Sequence, residues 1–108
     1  MEKFNPEVAL RHAQCLPSWK LDTAAGTIGR EFVFADFVQA FSFMTAVALA
    51  AEKHHHHPEW SNVYGRVSIR FTTHEAGGLT SLDFIMANLA EKAYGRFAQD
   101  AGQEGTQP

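Results

Sequence analysis

The chain has 108 residues, 45% of them hydrophobic, with nine phenylalanines and a formal net charge of -3. That length holds one domain, that composition excludes global disorder, and without a Lys/Arg cluster the chain is not expected to bind nucleic-acid phosphates directly. A single cysteine, Cys15, excludes an internal disulfide and a cysteine-based zinc site within one chain, and fits a reducing compartment. The first residues show no signal-peptide apolar core. The longest apolar-rich segment, residues 37–51, is short of a bilayer span. The expectation is a cytoplasmic protein that does not enter membranes.

In chain order, Asn5-Pro6 marks a helix start, a side-chain cap followed by proline at the first helical position. This helix ends near Leu16-Pro17. Residues 19–21 read as a short strand, 22–26 as a turn, and 27–34 as a second strand with Ile28, Arg30, Phe32 and Phe34 on one face. Asp36 and Gln39 open the central helix with a capping-box pattern. Its expected inner face is Phe37, Phe41, Met44, Ala48 and Ala51, with Ala40, Phe43 and Val47 beside them. Pro58 stops it and extends His57, while His54 stays helical.

Residues 59–64 read as a third strand, Gly65-Arg66 as a turn, and 67–72 as a fourth strand with Val67, Ile69 and Phe71 inward. Residues 75–78 read as a loop. Thr80 and Asp83 form another capping box before a last helix with Leu82, Ile85, Met86, Leu89 and Ala93 inward, fading near Phe97. Residues 100–108 are expected to fray, leaving a single domain with its core within residues 5–97. The order α-β-β-α-β-β-α predicts an α+β fold, a four-stranded antiparallel sheet with three helices packed on one face. The exposed sheet edges favour a homo-oligomer.

The chemistry concentrates in Glu52-Lys53-His54-His55-His56-His57-Pro58-Glu59-Trp60, which holds four of the six histidines. Imidazole is the side chain whose ordinary pKa lies nearest neutrality. His56, His57 and His74 are the candidates for proton transfer, against the plainer reading of solvated loop histidines. Trp60, Tyr64, Glu52 and Asp83 nearby favour a site. His54 and His55 read as exposed residues at a helix end. Asp83 has the simple alternative role of a helix cap, and Arg30, Arg66 and Arg70 are ordinary strand charges unless one pairs with a site carboxylate. A metal is the rival for the histidine run, but no HExxH or Cys pair occurs, and no metal or other cofactor is expected.

Glu52, then His56-His57-Pro58, Tyr64, His74 and Asp83, at these spacings, resemble the signature of the pterin-4a-carbinolamine dehydratases. The flanks agree: Phe32-Val33-Phe34-Ala35-Asp36-Phe37, Pro58-Glu59-Trp60-Ser61-Asn62-Val63-Tyr64 and Gly78-Leu79-Thr80. Gly65 and the pair His54-His55 depart from the family pattern; His55 bears on substrate preference. The resemblance implies three helices on one side of a four-stranded antiparallel sheet, in a homodimer or homotetramer. It implies dehydration of a 4a-hydroxytetrahydropterin to the quinonoid dihydropterin, recycling the pterin of aromatic amino-acid hydroxylases.

On that reading His56, His57 and His74 are catalytic, with His56 and His74 as the acid–base pair and His57 orienting the pterin. Glu52, His55, Trp60 and Asp83 support or contact the substrate. The alternative is a non-catalytic dimerisation or coactivator module that binds a protein partner, as animal members do with a homeodomain factor. A metal-binding sensor is a third, weaker reading.

Overall fold

Each helix begins where the sequence supplies a side-chain acceptor. The computed structural model describes residues 2–105, with side-chain surroundings for residues 2–97. Helix α1, Pro6–Ala13, is capped by Asn5, whose side chain accepts the Val8 N–H at 2.9 Å. Helix α2, Phe37–His54, is capped by Asp36, which accepts the Gln39 N–H at 2.8 Å, while Gln39 reaches back to the Ala35 N–H at 3.3 Å. Helix α3 runs Ser81–Gly105. Before it, Asp83 accepts the Thr80 N–H at 2.8 Å and Thr80 Oγ1 accepts the Leu82 N–H at 3.3 Å.

The strands are β1 (Lys20–Asp22), β2 (Thr27–Val33), β3 (Glu59–Val63) and β4 (Arg66–Phe71). All pairs are antiparallel and the sheet order is β1-β2-β4-β3. Strands β2 and β3 therefore run parallel on either side of β4, and α2 is the crossover between them. In β4, Val67, Ile69 and Phe71 are buried while Arg66, Ser68 and Arg70 are exposed. One face of the sheet thus carries the helices and the other is open. The predicted fold class and element order are both observed.

The core is aromatic. Phe32, Phe43 and Phe71 are fully buried, with Ile28, Ile69, Met86 and Val67. Arg30 is half-buried on the inner face of β2, beside Phe32 and Tyr94 at 4.6 and 4.8 Å from their ring centres. It pairs with Glu91, which also accepts the Trp19 indole N–H at 2.7 Å. These contacts tie α3 to the β1–β2 hairpin.

Several expectations are corrected. The buried stripe of α2 is Ala40, Phe43, Val47 and Ala51; Phe37 and Phe41 are 50% and 55% exposed. The helix is apolar on more than one side, so periodicity alone does not choose its inner face. In α3 the inner face is Asp83, Phe84, Met86, Ala87 and Ala90, and Ile85 turns outward. Of the expected stripe, Met86 is buried and Leu89 and Ala93 pack half-buried at the margin of the core. The helix continues to Gly105 and does not fade near Phe97; no proline interrupts it, and glycine weakens a helix without breaking it. Of the tail expected to fray, residues 106–108 lie outside the described residues. Cys15 is exposed. Residues His74–Ala76 form a 3-10 turn inside the expected loop.

Candidate active site

The end of α2 sorts the four histidines by backbone geometry. His54 is the last helical residue, and His55 takes the left-handed conformation at φ 52°. The His55 N–H bonds to the Glu52 carbonyl at 3.3 Å and the His56 N–H to the Ala51 carbonyl at 3.0 Å. These are the paired bonds of a Schellman turn, a place usually filled by glycine. The turn carries His56 back against the core, stacked near Phe71 at 6.2 Å between ring centres, with only 7% of the residue exposed. The next residue, His57, points outward, and Pro58 leads into β3.

His56 meets α3 through its ring. Its Nε2 lies 2.6 Å from Asp83 Oδ1. The second oxygen of Asp83 accepts the Thr73 hydroxyl at 2.8 Å and the Thr80 N–H at 2.8 Å. Asp83 is fully buried, so an isolated charge here would be costly, and these donors supply the compensation. Thr73 precedes His74, so one carboxylate ties His56 to the loop that presents His74.

The two exposed histidines have carboxylate partners of their own. His57 Nε2 lies 2.6 Å from Glu52 Oε1, and His74 Nε2 lies 2.8 Å from Glu59 Oε2. A carboxylate accepts, so each of these Nε2 atoms donates. In a neutral ring the remaining nitrogen, Nδ1, then holds the lone pair. The same assignment follows for His56 with Asp83 as a carboxylate. The three imidazoles thus share one tautomer, each fixed by an acid from a different element or turn.

The hydrogen bond from His57, followed by its charge and that of His55, holds the Glu52 carboxyl below its ordinary value of 4.5. The Arg70 hydrogen bonds, with that from His74, do the same for Glu59. Arg70 reaches Glu59 Oε1 with Nε at 2.9 Å and Nη2 at 2.5 Å.

The predicted residues are therefore brought together unequally. His56 is bonded to Asp83, His57 to Glu52, and His74 to Glu59 at the start of β3, while Thr73 links Asp83 to the turn that carries His74. Trp60 pairs across from Ile69, on the helix side of the sheet that His56 also occupies, and packs half-buried against the core. His55 is exposed at the cap. Asp83 has both oxygens engaged and no exposed surface, which puts it behind His56 and out of a ligand's reach. Tyr64 lies at the other end of β3, in the hairpin turn, and is 82% exposed. Sequence reasoning missed Glu59 and Thr73, and named Arg70 only as a strand charge that could pair with a site carboxylate, which it does with Glu59; the acid after Pro58 was the available signal. Among the described residues, no group of three or more His, Cys, Asp or Glu could hold a metal ion.

The family model described as pterin 4 alpha carbinolamine dehydratase matches residues 2–93. The chain belongs to this family. A relative from Rhizorhabdus wittichii is 58% identical over 91 residues, covering 84% of this chain and 94% of the relative. One from Rhizobium johnstonii is 57% identical over 81 residues, covering 75% and 80%. Both carry pterin-4-alpha-carbinolamine dehydratase as a provisional name. The crystal structure of a Brucella melitensis protein described as a transcriptional coactivator/pterin dehydratase matches with a TM-score of 0.83 at 36% identity, covering 86% of this chain and 99% of that one. The resemblance read from the sequence is borne out, and pterin-4-alpha-carbinolamine dehydratases are hydro-lyases.

In this member of the pterin dehydratase family, Glu52 and Glu59 give a pH prediction. Their folded pKa values lie below the ordinary 4.5. The stabilisation they contribute is thus present above the unfolded value and lost as pH falls through the lowered folded value. Both remain anions across the range in which imidazoles titrate. Carbon-13 NMR of the side-chain carboxyls should give midpoints below 4.5 for Glu52 and Glu59, and Arg70→Gln should raise that of Glu59. A midpoint for Glu59 that ignores Arg70→Gln contradicts the assignment.

Proposed function

We propose that this chain dehydrates a 4a-hydroxytetrahydropterin to the quinonoid dihydropterin and water by histidine general acid–base catalysis. The observation that supports this is that His56, His57 and His74 each have Nε2 held by a carboxylate of their own. The reaction breaks the bond between C4a and its hydroxyl. An acid donates a proton to the departing hydroxyl, a base removes one from a ring nitrogen, and the two transfers balance. Groups with pKa values near the working pH suit both tasks, each contributing roughly two to four orders of magnitude in rate.

His56 and His74 form the acid–base pair and His57 orients the pterin. Asp83 acts through His56, fixing its ring. Trp60 supplies aromatic surface on the His56 side of the sheet. Glu52 and His55 sit on the exposed rim, where they bear on substrate contact. Among the described residues no helix is long and apolar enough to cross a membrane, and we place the activity in the cytoplasm, where the product would be returned to a pterin-using hydroxylase.

A second role rests on a different observation. Phe37, Val38, Phe41 and Leu49 of α2 are 50–70% exposed, an apolar surface that suits a partner helix. We propose that a second copy of this chain covers it, as a homodimer or homotetramer, and that a helical protein partner is the alternative occupant. Light scattering should give a mass of two or four chains; a monomer at catalytic concentrations removes the homo-oligomer.

The catalytic assignment is tested by steady-state dehydration assays. His56→Ala and His74→Ala should each lower kcat by roughly 10²- to 10⁴-fold, and His57→Ala should mainly raise KM. Activity should survive exhaustive chelation. Near-normal turnover in both the His56 and His74 variants overturns the pair, and a chelator-sensitive rate restored by zinc revives the metal reading.

A further inference from the structure

Glu59 is placed by the sheet and by nothing local. It opens β3 in register with Arg70 of β4, and both side chains lie on the open face. Each oxygen of its carboxylate is committed to a different partner. Oε1 accepts Arg70 Nε at 2.9 Å and Nη2 at 2.5 Å, and Oε2 lies 2.8 Å from His74 Nε2. The guanidinium thus fixes the plane of the carboxylate, and the carboxylate fixes the ring of His74. His74 needs such a holder: its side chain is 76% exposed, on a three-residue turn at the end of the sheet. An imidazole in that setting otherwise samples both tautomers and several rotamers.

We propose that Glu59, held by Arg70, is a positioning residue for the dehydration: it keeps His74 protonated on Nε2 and oriented so that Nδ1 performs the proton transfer. The arrangement matches the support given to His56 by Asp83, built from exposed residues on the opposite face. Exposure makes the pair weak as a source of stability, so its effect falls on rate through ring geometry. Glu75 follows His74 on the same turn.

This inference rests on the acid–base reading of His74, and the test separates the two. Glu59→Ala, Glu59→Gln, Arg70→Gln, His74→Ala and the double variant Glu59→Ala/His74→Ala are assayed for dehydration of a 4a-hydroxytetrahydropterin. Nitrogen-15 spectra of the His74 ring are recorded for wild type, Glu59→Ala and Arg70→Gln at about pH 8, above the ordinary imidazole range. Glu59→Ala should lower kcat about tenfold with KM little changed, a fraction of what an acid–base group supplies. Glu59→Gln, whose amide oxygen still accepts from Nε2, should recover part of that loss. Arg70→Gln should fall between wild type and Glu59→Ala. The double variant should be no slower than His74→Ala alone, since a holder without its ring has nothing to act on.

In the spectra, wild type should show the Nε2-protonated ring, and Glu59→Ala a shift towards the mixture of tautomers. Multiplying losses in the double variant, or a His74 tautomer unchanged by Glu59→Ala, overturns the proposal. If wild type fails to dehydrate the pterin, the catalytic reading falls, and the His74 spectra still decide whether Glu59 sets the ring.

Discussion

The structure turns on one buried carboxylate. Asp83 has no exposed surface, yet it sits where the end of α2, the end of β4 and the start of α3 converge. A charge there is tolerable only with donors on both oxygens, and it has them: the His56 ring on one, the Thr73 hydroxyl and Thr80 N–H on the other. Removing any donor leaves the rest with an uncompensated anion. The capping bond to Thr80 and the bond to His56 are therefore parts of one network, and the helix start and the site are set together.

From that point the site divides by exposure. His56 is packed near Phe71 and has little freedom. His57 and His74 stand at the surface, with side chains 61% and 76% exposed, and depend on Glu52 and Glu59 for orientation. The division follows from the backbone. The left-handed residue His55 turns one neighbour inward and sends the next outward within two positions. Pro58 then extends the chain into β3 and sets Glu59 in register with Arg70. Of the three imidazoles, one is held rigid by packing and two are adjustable.

Much of this was legible in the sequence because it is local. Asn5, Asp36 and the Thr80–Asp83 pair announce their helices through bonds three residues long, and the alternation of Val67, Ile69 and Phe71 announces the inner face of β4. The helix faces were misread where local signals conflict. The central helix offers apolar residues on several sides, and only the sheet beneath it selects Phe43 and Val47 over Phe37 and Phe41. In α3, Asp83, read as a site residue or a helix cap, makes the capping bond and is fully buried, which helix periodicity alone could not announce. The pairing of Glu59 with Arg70 was not legible, because it is a matter of cross-strand register, and the bond to His74 spans fifteen positions. The roles given to the histidines came from family resemblance; their spacing alone equally allowed solvated loop residues.

Neutron crystallography of the deuterated protein at neutral pH shows directly which atom holds the proton between His56 and Asp83. A deuteron is expected on His56 Nε2, directed at Asp83 Oδ1, with both oxygens of Asp83 bare. A deuteron on the Asp83 carboxyl, or an Nε2 without one, would contradict that assignment.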